Sequence, residues 1–172
     1  MRLVAAIACA SLTAALLGCS IQHTYYNADM STARNDEQRG HLAEAEANYA
    51  SAVWRARNHL GKQEQSTALY NLGSFYRRHA KFKESAVALE ESLSIAKDAG
   101  TFDQAAIGRR RIELAVSYAG LDRWKEGAAL LREIIPVASQ YTGQEAEFLK
   151  LVFSKYKERL IALGEDASFI PN

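Results

Sequence analysis

Between Ala68 and Ala96 the apolar positions fall into two runs on either side of a short polar stretch, Arg78–Lys81. Leu69, Leu72, Gly73 and Tyr76 recur at three- and four-residue steps. That spacing gathers side chains on one face of an α-helix. Phe82, Ala86, Leu89, Leu93 and Ala96 do the same in the second run. The pattern predicts helices over Gln63 to His79 and Lys81 to Ala99, folded back on each other. Gly73, with no side chain, would let the second backbone approach. The pattern returns 42 residues on: Leu114-Ala115 and Tyr118 stand where Leu72-Gly73 and Tyr76 stand, and Trp124, Gly127, Leu131 and Ile134 replace Phe82, Ser85, Leu89 and Ser92. It is also present 40 residues earlier, where Gly40 to Ala45 repeats the turn and helix start, and Tyr49 and Ala52 follow. Tyr76, Leu89, Tyr118 and Leu131 are therefore the expected core between helices.

The remaining elements follow from caps and breakers. A helix over Leu42 to Leu60 should stop at Gly61, and a weaker one, with Met30 and Ala33 as almost its only apolar residues, should cover about Asn27 to Arg39. Thr101 with Gln104, and Thr142 with Glu145, have capping-box spacing, and Asp122 is placed to cap a helix from Arg123. Pro136 should kink or end that helix. The run Glu145 to Leu163 puts Phe148, Leu151, Val152, Tyr156 and Leu160 on one face and Lys150, Lys155, Lys157, Glu158 and Arg159 on the other. Such a one-sided helix suits the end of a stack. The tail Glu165 to Asn172 is expected to be loose.

Composition agrees. Glycines spaced about twenty residues apart fit helix stops in an all-α chain. With 172 residues, 48% hydrophobic and a net charge of +1, there is enough chain for one core and no electrostatic case for nucleic acid.

Leu72-Gly73 with Tyr76 three residues on, then the aromatic Phe82 and a small residue, resembles a tetratricopeptide repeat. Ser85 stands where that family has Ala, and Ala80 replaces the usual turn Gly. The periods of 40 and 42 resemble a long-helix variant, and the likeness runs from Tyr26 to Gln140. It implies three helical hairpins over residues 27–140, a right-handed superhelix of antiparallel helix pairs, and a capping helix over 141–164. It also implies a concave groove lined from the first helix of each pair, at Asn27, Met30, Arg34, Tyr70, Asn71, Ser74, Arg77, Arg109, Ile112 and Val116. The groove would bind a peptide segment of another protein. Asn71 and Arg109 match two positions of the family's carboxylate clamp, whereas Met30 and Glu113 depart from it.

At the other end, Arg2 and the apolar run Leu3 to Leu17 read as an export signal. A plain secretory signal or an uncut membrane anchor would share these features. Leu16-Leu17-Gly18-Cys19 resembles a bacterial lipobox, which implies removal of residues 1–18 and lipid (palmitate among it) on Cys19. Residues 19–26 would then be the lipidated Cys and a short tether, whose seven residues Ser20 to Tyr26 reach at most about 25 Å if extended. Ser20 after the Cys implies transfer to the outer membrane, facing the periplasm, in a Gram-negative cell. Outside the signal only Cys19 remains, so no disulfide or thiolate metal site is expected.

Nothing in the chain spells out catalysis. His23, His41, His59 and His79 never stand at i,i+3 or i,i+4, and no nucleophile elbow or phosphate loop occurs. Arg77-Arg78 and Arg109-Arg110-Arg111 read as solvated helix faces unless the groove uses them. The expected function is a membrane-anchored interaction or assembly scaffold of the cell envelope, without cofactor, metal or enzymatic activity. A binder of peptidoglycan or another envelope ligand is the alternative, with Tyr70 as its stacking ring, and an envelope enzyme stands third.

Overall fold

The helical periodicity is realised nearly to the residue. A computed structural model describes the backbone of residues 2–171 and the side chains of residues 20–171. The side chains of the expected signal and of Cys19 lie outside the described residues. Helices α1 (Arg2–Arg39), α2 (Leu42–His59), α3 (Lys62–Arg78), α4 (Phe82–Ala99), α5 (Gln104–Gly120), α6 (Trp124–Arg132) and α7 (Gly143–Ala162) follow in order, with a 3₁₀ segment at Ile135–Gln140 between the last two. No strand occurs among the described residues. The chain divides into two units, Met1–Ala68 and Leu69–Asn172.

In the first unit α1 and α2 run antiparallel. Asn48 reaches Asp36 at 3.0 Å, while Ser51 and Arg55, further along α2, both reach Asp29 at 2.7 Å. Their shared core is Tyr26, Met30 and Ala33 against Ala45, Tyr49, Ala52, Val53 and Ala56. Four of these eight are alanines, so the helices can approach closely. Two expectations change here. Ser20 to Tyr26 is helical, not an extended tether. Buried Tyr26 carries the Met30–Ala33 stripe one turn further back, and the turns before it continue the same hydrogen-bond ladder. Met30, expected in the groove, is buried in this core.

In the second unit the residues of α3 from Leu69 onward pack on α4 through Gly73. A methyl group there would lie 2.6 Å from Leu89 Cγ, so this is the close approach the pattern implied. Ser85 and Ser117 form a buried polar joint across α3, α4 and α5. Ser85 Oγ donates to the Gly73 carbonyl at 2.8 Å and lies 2.7 Å from Ser117 Oγ. Ser in place of the repeat's Ala is thus satisfied by hydrogen bonds. Leu89, Tyr118 and Leu131 are buried as expected. Tyr76 is only half-buried, and its neighbour Phe75 takes the core place at 1% exposure.

One turn recurs along the chain. Gly40, Ala80, Asp122 and Gly164 all have positive φ, between 56° and 80°. After the first three, the next residue's N–H bonds back five residues: His41 to Asp36, Lys81 to Tyr76 and Arg123 to Tyr118. Glu165 to Leu160 makes the fourth. This is the Schellman ending of a helix. Its period of 40, 42 and 42 residues matches the sequence repeat and adds a fourth occurrence at the end of α7.

The caps differ from expectation. Asp103, not Thr101, caps α5 by accepting from the Ala106 N–H at 2.6 Å. Thr142 makes no side-chain cap bond. Asp122 accepts from Trp124 Nε1 and Arg159 Nη2 instead of capping α6, since its left-handed backbone turns it away from the helix start. Helix α6 ends at Arg132, four residues before Pro136, whose missing N–H would have bonded there. The tail is not loose. Ala167 and Ile170 are buried, and Arg132 lies over the Phe169 ring at 4.4 Å.

Candidate groove along helices α5 and α7

Helices α5 and α7 lie side by side and run parallel. Arg109 meets Glu145, Tyr156 meets Ala115 and, in the turn after α5, Asp122 meets Arg159, in ascending order along both. The core stripe of α7 is Leu149, Val152, Phe153, Tyr156 and Leu160. That set is complete at helical spacing, so Phe148 and Leu151, expected in the buried face, are surplus to it. Phe148 is half-buried and Leu151 is 53% exposed.

Both surplus side chains line a run of three pockets. The first, about 210 Å³, is framed by Tyr70, Arg109, Ile112, Glu113, Tyr141 and Phe148, with Gln144 and Glu145 at its edge. The second, about 150 Å³, lies between Val116, Trp124, Phe148, Leu151 and Lys155. The third, about 280 Å³, is bounded by Trp124, Lys155, Glu158 and Arg159. Shared residues join them: Phe148 borders the first two, and Trp124 with Lys155 borders the last two.

The electrostatics are those of a balanced surface. Arg77 makes a two-point ion pair with Glu113, and Arg109 lies 3.4 Å from Glu145. The expected arginines therefore meet the chain's own carboxylates. Arg159 is held by Asp122 at 3.2 Å. Lys155 is exposed and has no carboxylate partner among the described residues. Tyr70 is pushed above its ordinary pKa by burial first and by the Glu113 charge second, against the pull of Ser74, Arg109 and Arg110. Arg110 is held down at about 10 by burial.

The sequence-derived groove residues divide as follows. Asn27 and Arg34 belong to the first unit and are exposed on α1, where Arg34 Nε donates to the Met30 carbonyl at 3.1 Å. In the second unit Tyr70, Arg109, Ile112 and Val116 line the pockets. Arg77 sits behind them, paired to Glu113 and over the Phe148 ring at 5.3 Å. Ser74 is buried and Asn71 half-buried; neither lines these pockets. Trp124, Tyr141, Phe148, Leu151 and Lys155 were missed.

The arginine run is a further correction. Arg110 and Arg111 are buried, at 4% and 8% exposure. The Arg110 guanidinium lies between the Phe102 and Tyr70 rings, 4.2 and 5.1 Å from their centres, and donates to Ser92 Oγ at 3.0 Å. Arg111 donates to Glu133. A signal existed: Arg110 and Arg111 continue the stripe Ile107, Leu114, Tyr118.

Three of the groove rings carry a guanidinium near one face: Arg110 by Tyr70, Arg77 by Phe148, and Arg159 at 5.8 Å from Trp124. That leaves less free aromatic face for stacking a sugar than for packing an aliphatic or aromatic side chain. No group of His, Cys, Asp and Glu among the described residues could hold a metal ion, and none of their helices is long and apolar enough to cross a membrane. Compared with known proteins, the chain matches no family model and no curated protein.

Proposed function

We propose that this chain is a scaffold of the tetratricopeptide kind, a right-handed stack of helix pairs, which holds a segment of another protein along the α5–α7 groove. It acts by binding, not by catalysis. It is held in a bacterial envelope by lipid on Cys19, on the periplasmic side of the outer membrane in a Gram-negative cell. One observation carries the binding reading: three pockets joined end to end along α7, the first two shared with α5 and the third with Trp124 of α6, with Leu151 left 53% exposed in the middle one. The four-fold recurrence of one turn supports the repeat reading. The lipid reading rests on Leu16-Leu17-Gly18-Cys19.

A photo-crosslinking residue at Val116, in the groove, and at Val87, 67% exposed on α4, tests the binding reading in intact cells. A discrete protein adduct from Val116 alone is expected. Equal adducts from both sites, or none from Val116, would overturn it. Labelling with an alkyne fatty acid tests the anchor: label should appear on the wild type and vanish in Cys19→Ala, which should remain an uncut precursor.

A further inference from the structure

The middle pocket differs in kind from its neighbours. Its walls are Val116, Ala119, Trp124, Phe148, Leu151, Val152, the Tyr156 ring and the stem of Lys155, the one charged residue among them. Its volume of about 150 Å³ is of the order that accepts a benzene ring in an apolar cavity. The geometry points to an anchor site. We infer that it takes one Leu- or Phe-sized side chain of a partner segment, with an acidic group of that segment against Lys155. The inference rests on the groove reading above and adds the chemistry of the partner.

Charge selects the occupant. Arg77, Arg109 and Arg159 spend their charges on Glu113, Glu145 and Asp122. A carboxylate arriving there must first displace one of the chain's own. Lys155, whose aliphatic stem forms part of the apolar pocket wall, carries an ammonium that no carboxylate of the described residues holds. Glu158, one turn on, borders only the outer pocket, so a basic group beside the anchor would meet Lys155 before it met Glu158. Apolar burial supplies the affinity and the Lys155 charge the preference.

Trp124 is a built-in reporter, since the chain has only one other Trp, Trp54, exposed on α2. In a full-length Trp54→Phe protein, Trp124 fluorescence is followed while blocked tetrapeptides Gly-Leu-Asp-Gly, Gly-Leu-Lys-Gly and Gly-Ser-Asp-Gly are added. The Leu-Asp peptide should bind tightest and the Ser-Asp peptide should leave the emission unmoved. Lys155→Glu should weaken the Leu-Asp peptide about threefold or more, the scale of an exposed ion pair, and should tighten the Leu-Lys peptide. Lys155→Gln should erase the difference between them, and Leu151→Asp should abolish both. All three substitutions are at exposed positions, and circular dichroism checks the fold. Equal binding of the Leu and Ser peptides, no response to any peptide, or a preference that survives charge reversal would overturn the anchor. If the Val116 crosslink is formed while the peptides fail, the groove reading stands without this anchor. If the crosslink also fails, both fall.

Discussion

The hydroxyl of Tyr156 sits so close over Gly127 that a methyl group on that glycine would lie 1.8 Å from its oxygen. The same hydroxyl donates to the Ala115 carbonyl at 2.6 Å. One side chain of α7 thereby reaches α5 and α6 together, and Trp124 closes the contact with its ring edge-on at 5.0 Å. Gly127→Ala should destabilise by about 1–3 kcal/mol, the cost of overpacking. Tyr156→Phe should cost about 1 kcal/mol, for one buried hydrogen bond. Removing the hydroxyl relieves the worst of the clash and leaves the ring carbon Cζ at 2.7 Å, so the double mutant should be more stable than the two single costs added together. Thermal melts of the four proteins measure this, and strict additivity would mean the two residues do not touch.

A second prediction tests the seam between α3 and α4. Leu89 is fully buried and lies against Gly73. Leu89→Ala should cost about 2–5 kcal/mol, since a cavity is left as well as apolar area lost. Lys83, exposed in the first turn of the same helix, is the control. If Lys83→Ala lowers the melting temperature as much, the seam is misplaced.

Most of the helical frame was legible because helix periodicity is a local property. Leu72, Leu89, Leu114 and Leu131 mark a stripe that each helix must bury whichever partner it meets. The caps were less legible: Thr101 and Asp103 both have plausible side chains, and only backbone geometry decides that Asp103 accepts from Ala106. The groove was half legible. Tyr70, Arg109, Ile112 and Val116 follow from the repeat register, whereas Phe148, Leu151 and Lys155 come from a helix read only as a cap for the stack. Burial of Arg110 required knowing that Tyr70, Phe102 and Ser92, from three separate stretches, converge on it. The order of the tail was hidden for the same reason, since Ala167 and Ile170 are too few to show a period.

The recurring turn gives a third prediction. Ala80 holds φ +56° where Gly40 and Gly164 hold +80° and +71°. A side chain in that conformation costs on the order of 1 kcal/mol, which glycine does not incur. Ala80→Gly should therefore stabilise, by less than about 1 kcal/mol after the greater chain entropy of glycine is counted. Gly40→Ala should destabilise by a similar amount. Asp122→Gly should gain less than Ala80→Gly, because it also loses the bonds from Trp124 and Arg159. Urea unfolding gives the order directly, and a destabilised Ala80→Gly would contradict the backbone assigned to this turn.

The last prediction concerns alkaline pH, where several tyrosines act in one direction. Tyr26 and Tyr118 are each raised from the ordinary 10 to about 12. Burial is the first cause in both. The Glu64 charge adds to it at Tyr26, and for Tyr118 the hydrogen bond it donates to Glu90 at 2.8 Å does so. Tyr156 is raised as well, by burial alone. Each of these groups keeps its proton in the folded chain at a pH where the unfolded chain has lost it. Their contribution is fully present below pH 10 and is lost as pH rises through about 12. The melting temperature should thus fall steadily across that window, and ultraviolet absorbance should show tyrosinate appearing together with unfolding. Tyr118→Phe should start lower at neutral pH, having lost its bond to Glu90, and fall less steeply above pH 10. A wild-type melting temperature that is flat from pH 10 to 12 would mean these hydroxyls ionise as freely in the folded chain as in the unfolded one.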